Sequence, residues 1–366
     1  NMDIQLQQGY GSGGSSASDY GDESFEVIAS RSEGLRKLEE FMPRAGRAYQ
    51  ATRNLDHGLG KHSNVSNLSP YIRHRLITEE EVLAAVLAEH SESDAFKFVQ
   101  EVFWRSYWKG WLEHRGMLWP EYQQNLSWNL TSVQKDPRRW KTYELATIGK
   151  TDITPFNDWV KELLTTGYLH NHARMWFASV WIFTLHLPWE LGADFFLRNL
   201  LDGDAASNTL AWRWVAGLHT KNKTYLATAS NIRKCSSERF TDPCDHSLGL
   251  KRLATTTQPQ QENLSPGALQ NTPIEWPKPM SCLLGENTVS ALLVTEDDLS
   301  TQIPFQPSTI AALSASPRSP IAPTNELVRQ FSASAIEDTL QRLAEETSVH
   351  VVEQAMFEEE IVAWAV

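Results

Sequence analysis

The stretch that decides the fold is residues 167–214, GYLHNHARMWFASVWIFTLHLPWELGADFFLRNLLDGDAASNTLAWRW. Its first part is nearly all apolar as far as Pro188, where the fixed proline ring ends a helix. We therefore expect a buried core helix there. A second helix is expected from GADFFLRNLLDGD. The stretch has no alternating pattern of the kind that indicates a strand.

The same helical spacing extends towards the N-terminus. Thr78 followed by EEEVLAAVLAEH has a capping residue, an acidic first turn and an amphipathic pattern. DAFKFVQEVFWRSYWKGWLEHR is apolar on more than one face and predicts a central helix. NDWVKELLTTG predicts a further helix that ends near Gly167. We find no internal repeat, and the prediction for residues 31–240 is a mainly α domain.

The two ends of the chain have a different composition. Residues 1–30 begin with a Gly/Ser-rich segment, which predicts a disordered region or linker. Residues 241–325 are rich in Pro, Ser, Thr and Gln and predict a linker, with one possible strand in SALLVTEDDL. Residues 326–366 predict a helix followed by the strand SVHVVEQ. We interpret this last part as a small, incomplete α/β segment, truncated or completed by another copy.

Charge and cysteine content exclude several classes of protein. The net charge of −12 divides into −5 over residues 1–30, +4 over 31–240 and −11 over 241–366, which argues against indiscriminate polyanion binding. No apolar run has the roughly 20 residues that a membrane-spanning helix needs. We see no signal peptide. Three cysteines without a CxxC pair predict a cytoplasmic protein and no disulfide framework.

Tryptophan is unusually abundant, with 14 residues, of which 12 lie between Trp104 and Trp214. Each buried indole needs a partner for its N–H group, so a plain core rarely contains so many. An aromatic-rich helical core is one interpretation. A pocket for a planar ligand, or an electron-transfer path, is the other.

Five ordered motifs give the chain a resemblance to a known family. They are GYLHNHARM, LLDGDAASNTLAWRW, FVQEVFWRSYW, NVSNLSPYI and YQATRNL. They resemble GWMHNRxRM, LIDGDxAxNNxGWQW, NELxWREFY, TSRLSPYL and YxxxRD of the DNA photolyase/cryptochrome family. The resemblance covers about residues 49–225 and implies the family's helical FAD-binding domain. It says nothing about residues 1–30 or 241–366.

The resemblance implies a set of FAD contacts. The hydroxyls and N–H groups of NVSNLSPYI precede a helix, which suits a phosphate, although a simple helix cap has the same pattern. Arg174 and Asp202 should pair in the interior, since neither is stable there alone. The implied cofactor-binding residues are Tyr49, Ser66, Leu68, Arg105, Asn171, Arg174, Asp202, Asp204 and Asn208.

The resemblance also implies an electron-transfer chain of Trp212, Trp189 and a third tryptophan. The position of the third member is open between Trp140 and Trp128, and we assign Trp140. Packing of the core is the other role that these indoles can have.

The implied substrate is UV-damaged DNA carrying a cyclobutane pyrimidine dimer. The residues that match the family's lesion pocket are Glu101, Trp104, Asn171, Met175 and Trp214. Arg53, Trp104 and His172 match DNA contacts, with His172 replacing an arginine. By the same resemblance Asn208 would lie beside the flavin N5, where photolyases have Asn and many cryptochromes have Asp or Cys, and this favours repair. Members that repair the six-four photoproduct have His where this chain has Asn171 and Met175.

Three alternatives stay open at this point. The expected activity is light-driven dimer repair, the second is a cryptochrome-like photoreceptor, and the third is a flavoprotein with neither activity. We expect no metal, because His170 and His172 are two residues apart on a helix and face different ways. Only 48 residues precede Tyr49, so we expect no antenna chromophore.

Overall fold

The computed structural model describes residues 27–220, 223–237, 239–241, 248–257, 290–303 and 305–365. The predictions for residues 1–26 and for residues 242–247, 258–289 and 304 of the 241–325 linker lie outside these ranges. Within them the first part of the chain is helical, as predicted. Its helices are α1 (Arg31–Phe41), α2 (Arg47–Thr52), α3 (Ser69–Arg73), α4 (Glu79–Glu89), α5 (Glu92–Glu113), α6 (Leu118–Gln134), α7 (Pro137–Thr147), α8 (Thr154–Thr166), α9 (Asn171–Ser179), α10 (Trp189–Asn199), α11 (Ala205–Ala216) and α12 (Ala229–Cys235).

Local signals in the sequence set several helix ends. Thr78 and Glu81 exchange hydrogen bonds as a capping box at the start of α4, which confirms the predicted N-terminus. Gly167 ends α8 with φ of 65°, a left-handed conformation that favours glycine. Asp204 caps α11 by accepting a hydrogen bond from the Ser207 N–H. These caps fix where a helix starts or ends and hence where the polar turns lie.

The predicted core helix before Pro188 forms with one difference. His170 is its N-cap, so α9 starts at Asn171, and it continues as one turn of π-helix over Val180–Thr184. A π-turn inserts a residue into the helical repeat and shifts the side chains that follow. Trp181 lies in this turn and donates its indole N–H to the Pro188 carbonyl oxygen at 2.9 Å.

The C-terminal part forms a small parallel sheet with two helices. Its elements are β1 (Ala291–Val294), β2 (Thr309–Ala312), α13 (Glu326–Glu346), β3 (His350–Val351) and α14 (Glu358–Ala365). The strands pair in the order β1-β2-β3, with Ala291 opposite Thr309 and Ile310 opposite Val351. The strands in SALLVTEDDL and SVHVVEQ and the helix between Asn325 and Glu346 are confirmed. Strand β2 was not predicted, because it lies in a segment whose composition is that of a linker.

Two clusters of buried side chains form the interior of the described residues. The first lies among α6 to α12 and contains Trp159, Trp176, Trp181, Trp189 and Trp212. The second joins α1 to α5 with side chains of β1, β2 and α13, among them Ile310 and Phe331. The α/β segment therefore packs on the N-terminal helices rather than standing apart. Among the described residues, no helix combines the length and apolarity that crossing a bilayer requires.

Candidate functional site

A cavity of about 1140 Å³ lies between α5, α9, α11 and the turn that joins α10 to α11. This volume exceeds the roughly 300–1,000 Å³ typical of sites for drug-sized ligands. One side of the cavity is polar and the other is aromatic. Predicted site residues in its wall are Arg53, Trp104, Arg105, Asn171, His172, Arg174, Met175, Asp202, Asp204, Asn208, Trp212 and Trp214.

An interior ion pair forms part of the polar side. Arg174 on α9 donates from Nη2 to Asp202 Oδ2 at 2.9 Å, and its Nε donates to the Leu169 carbonyl oxygen at 2.8 Å. Burial acts to raise the pKa of Asp202, but the charge and hydrogen bond of Arg174, together with Ser69 and the Arg105 charge, outweigh it and hold that pKa below its ordinary value. The sequence brings these two groups together across 28 residues because α9 and the turn after α10 face each other.

Asp204 and Asn208 extend the polar side along α11. Asp204 Oδ1 accepts from the Ser207 N–H at 2.8 Å, and Asn208 Nδ2 donates to the Ala193 carbonyl oxygen at 2.7 Å. Burial acts to raise the pKa of Asp204, but the Ser207 N–H, Arg105 and Lys109 outweigh it and lower that pKa. Both side chains are thus held in fixed orientations at the cavity wall.

Several buried polar atoms of this wall have no hydrogen-bond partner among the described residues. They include Arg105 Nε, which lies 3.6 Å from a Glu79 carboxylate oxygen, Asp202 Oδ1 and Ser207 Oγ. Such atoms are rare in folded proteins and mark places where a ligand completes the bonding. A guanidinium suits a phosphate, and carboxylate and amide groups suit the polar edge of a flavin ring. The residues present therefore fit FAD.

The aromatic side contains Trp104 on α5 and Trp214 on α11, together with Met175 and Asn171 on α9. Trp104 is 42% exposed, so its ring is available to a ligand that enters from solvent. Trp214 stacks on Tyr225 with ring centroids 5.8 Å apart. The structure thus brings together four of the five residues predicted for the lesion pocket.

Glu101, the fifth, is placed differently. Both oxygens of its carboxylate are engaged: the Tyr49 hydroxyl donates to one and Arg53 Nη1 donates to the other at 2.5 Å. Glu101 and Tyr49 are not among the cavity-lining residues. Glu101 therefore does not line the cavity, and its expected contact with a pyrimidine stays a prediction.

The predicted phosphate turn lies beside the cavity rather than in its wall. Leu68 is fully buried in the second core, and Ser66 Oγ accepts from the Leu68 N–H at 3.4 Å. Asn67 has φ of 53°, which gives the turn its tight path into α3. Ser66, Leu68 and Tyr49 as FAD contacts remain predictions.

Of the predicted electron-transfer tryptophans, Trp212 and Trp189 are buried and Trp140 is half-buried, and their ring neighbours differ. Trp212 has its ring centroid 6.3 Å from Trp181, Trp181 lies 6.0 Å from Tyr143, and Tyr143 stacks on Trp140 at 5.4 Å. Trp189 instead has Tyr122 as its ring neighbour at 5.6 Å. Sequence reasoning missed Trp181, whose only signal was its place in a tryptophan-rich apolar helix.

The two histidines of HNH have structural contacts. His170 Nδ1 accepts from the His172 N–H at 3.2 Å, and burial lowers the pKa of His170 to about 3. Burial also lowers the pKa of His172, whose ring lies 4.8 Å from that of Trp176. His172 therefore adds no positive charge to the cavity at neutral pH.

One group of possible metal ligands was also missed. Asp56, His62 and Glu162 are buried together. His62 Nε2 lies 2.5 Å from Glu162, and Nδ1 on the other side of the ring lies 3.9 Å from Asp56. Arg239 donates to Asp56. His62 therefore hydrogen-bonds Glu162 through Nε2, whereas its Nδ1 has no hydrogen-bond partner among the described residues.

A helical domain whose large cavity has guanidinium, carboxylate and indole groups in its wall is a domain for a flavin-type cofactor. Residues 98–246 match the family described as the FAD binding domain of DNA photolyase. The matched region is therefore an FAD-binding domain of the DNA photolyase type.

The chain is similar over about half of its length to photolyases of other organisms. The chain is 35% identical over 204 residues to a deoxyribodipyrimidine photo-lyase of Thermus thermophilus. The aligned region covers 53% of this chain and 43% of that protein. It is 27% identical over 215 residues to one of Alkalihalophilus pseudofirmus, with 56% and 41% covered. The chain thus spans about two fifths of the length of these relatives. A bacterial class III photolyase from Agrobacterium tumefaciens superposes with a TM-score of 0.48 at 25% identity, covering 57% of this chain and 43% of that one.

Proposed function

We propose that this chain splits cyclobutane pyrimidine dimers in DNA in a reaction driven by blue light. The observation that carries the proposal is the shared cavity: Trp104 and Trp214 line it together with Asp204 and Asn208. A substrate base held on the indoles would therefore lie next to the cofactor. The curated relatives named above are deoxyribodipyrimidine photo-lyases, which agrees with this assignment.

The chain's own residues would bind and orient both partners. Arg105 would hold the phosphates of FAD, and Asp204 and Asn208 would hold the edge of its ring. Bound and reduced, the flavin supplies the electron that opens the cyclobutane ring and takes it back afterwards. The protein contributes position and electrostatics.

The indoles would hold the damaged bases outside the duplex. Flipping a dimer out costs a few kcal/mol, less than for an intact pair because the dimer already stacks poorly. Stacking on Trp104 and Trp214 returns about 1–3 kcal/mol per base. Asn171 would donate to the pyrimidine edge, and Met175 would fill the space beside it.

Contact with the DNA backbone should be modest. Arg53 is one of the cations in the cavity wall, and it is paired with Glu101 at 2.5 Å. A backbone phosphate that draws Arg53 away would free one Glu101 oxygen for the lesion, so we keep Arg53 among the DNA contacts and Glu101 in the lesion pocket. Few phosphates would be neutralised, and the affinity should fall only gently as salt rises.

The test is repair of an oligonucleotide carrying one thymine dimer by the FAD-loaded chain under blue light. The expected result is restored thymines in the light and none in the dark. A protein that is photoreduced but repairs nothing, and binds damaged and intact strands equally, would favour the second candidate, a blue-light photoreceptor. The ring contacts from Trp212 through Trp181 to half-buried Trp140 favour that candidate's photoreduction step as well.

A further inference from the structure

The turn that carries Asp202 and Asp204 is held from outside the helical domain. The last carbonyl groups of a helix have no partners within it. At the end of α10, Arg318 Nη1 donates to the Leu200 carbonyl oxygen at 2.7 Å, and the Asn325 N–H donates to the Arg198 carbonyl oxygen at 2.9 Å. Both donors lie between β2 and α13, in the α/β segment.

Arg318 is built into the interior at this point. Its side chain is 6% exposed, and its Nη2 lies 3.6 Å from Glu296, which compensates its charge. A Cβ placed on Gly203 would lie 2.8 Å from Arg318 Nη1, so the turn and the guanidinium are in direct contact. Several donors on one planar group let Arg318 bond the turn and its own segment at once.

A second arginine holds the same turn with help from the same segment. Arg73 at the end of α3 donates from Nε to the Gly203 carbonyl oxygen at 2.8 Å. Asp297, in the loop after β1, pairs with Arg73 Nη1 at 2.7 Å. The carbonyl groups on either side of Asp202 are thus bonded to guanidinium groups that the α/β segment supplies or fixes.

We propose that Arg318 is a positioning residue for the flavin site, holding the turn 200–204 so that Asp202 and Asp204 stay oriented for FAD. Residues 290–365 lie outside the family match, which ends at residue 246. The role of this segment would then be to clamp the cofactor turn. The proposal rests on FAD binding alone and does not depend on DNA repair.

The expected effect is on the retention of FAD. A turn that is free to change its backbone conformation is in the FAD-binding conformation in only a fraction of the molecules. The apparent Kd for FAD equals the intrinsic Kd divided by that fraction. Replacing the guanidinium with an apolar side chain of similar length removes the bond to Leu200 and leaves Glu296 without its partner. We expect Arg318→Met to raise the Kd for FAD at least tenfold, mainly by faster release.

The experiment measures FAD binding and release by flavin fluorescence in the dark, at a temperature where circular dichroism shows every variant folded. Arg329→Met is the matched control, because Arg329 lies on α13 with a side chain that is 64% exposed. The control should bind FAD as the parent does. Arg318→Lys keeps the charge but reaches only one of the two partners, and its Kd should rise threefold to tenfold.

A folded Arg318→Met protein that binds FAD within twofold of the parent would overturn the proposal. If that variant does not fold, Arg318→Lys decides, and a Kd within twofold of the parent again overturns it. The repair assay is separate: a parent that binds FAD tightly but repairs no DNA refutes dimer repair and leaves this test intact. A parent without affinity for FAD would refute both.

Discussion

Replacing Asp202 with alanine should destabilise the apo-protein and abolish FAD binding. Asp202 has a side chain that is 6% exposed and pairs with Arg174, which is 24% exposed. Removing one partner of a buried pair costs about 3–5 kcal/mol, because the remaining charge is left uncompensated. Arg174 keeps some solvent and its bond to the Leu169 carbonyl oxygen, so we expect the lower end, about 3 kcal/mol.

For a domain of this size a loss of about 3 kcal/mol corresponds to a fall of roughly 6–12 °C in Tm. The assay is thermal unfolding of the FAD-free protein followed by circular dichroism, together with titration with FAD. Glu40→Ala is the control, since Glu40 is 60% exposed in a surface pair with Arg36 and should change stability by about 0–1 kcal/mol. The expected fall in Tm is roughly 6–12 °C, so an Asp202→Ala protein with a Tm within about 2 °C of the parent's would refute this account of the pair.

Three further predictions concern photoreduction, damage recognition and pH. Trp212→Phe should strongly slow the blue-light reduction of bound FAD without releasing the cofactor. Trp159→Phe should not slow it, because the Trp159 indole is buried outside the cavity wall. Equal photoreduction rates for the two variants in flash photolysis would contradict the assignment of Trp212. Trp104→Ala should weaken binding of dimer-containing DNA by about 1–3 kcal/mol and binding of intact DNA much less, in gel-shift titrations. In the unfolded protein His74 and His170 bind protons below about pH 6.5. In the folded protein burial lowers the pKa of each to about 3. The free energy of unfolding should therefore fall as the pH drops from about 6.5 towards 3. The slope should approach about 2.7 kcal/mol per pH unit for these two groups, and a flat urea-unfolding profile between pH 6 and 5 would rule it out.

Sequence patterns of short range were reliable for this protein. The capping box at Thr78 and the stop at Gly167 depend on residues that are neighbours along the chain, and both were confirmed. The motifs around residues 167–214 were enough to predict the family and its cofactor, because the polar residues that bind a ligand are restricted in type and in spacing. The helix between Asn325 and Glu346 was also predicted, from its amphipathic pattern.

Contacts between distant residues were decided only by the tertiary structure. Strand β2 is four residues long and gains its stability by pairing with β1 and β3, so its own composition did not distinguish it from linker. The engagement of Glu101 by Tyr49 and Arg53 depends on how α2 packs against α5. No local pattern encodes such a contact.

The contact between Arg318 and the turn 200–204 shows most clearly what sequence and tertiary structure each determine. The sequence alone predicted that Asp202 pairs with Arg174, because a buried charge needs a partner. It gave no reason to place Arg318, 118 residues beyond Leu200, on the same turn. That contact exists because the parallel sheet and α13 share a hydrophobic core with the first helices, and burial of apolar surface acts without regard to separation along the chain.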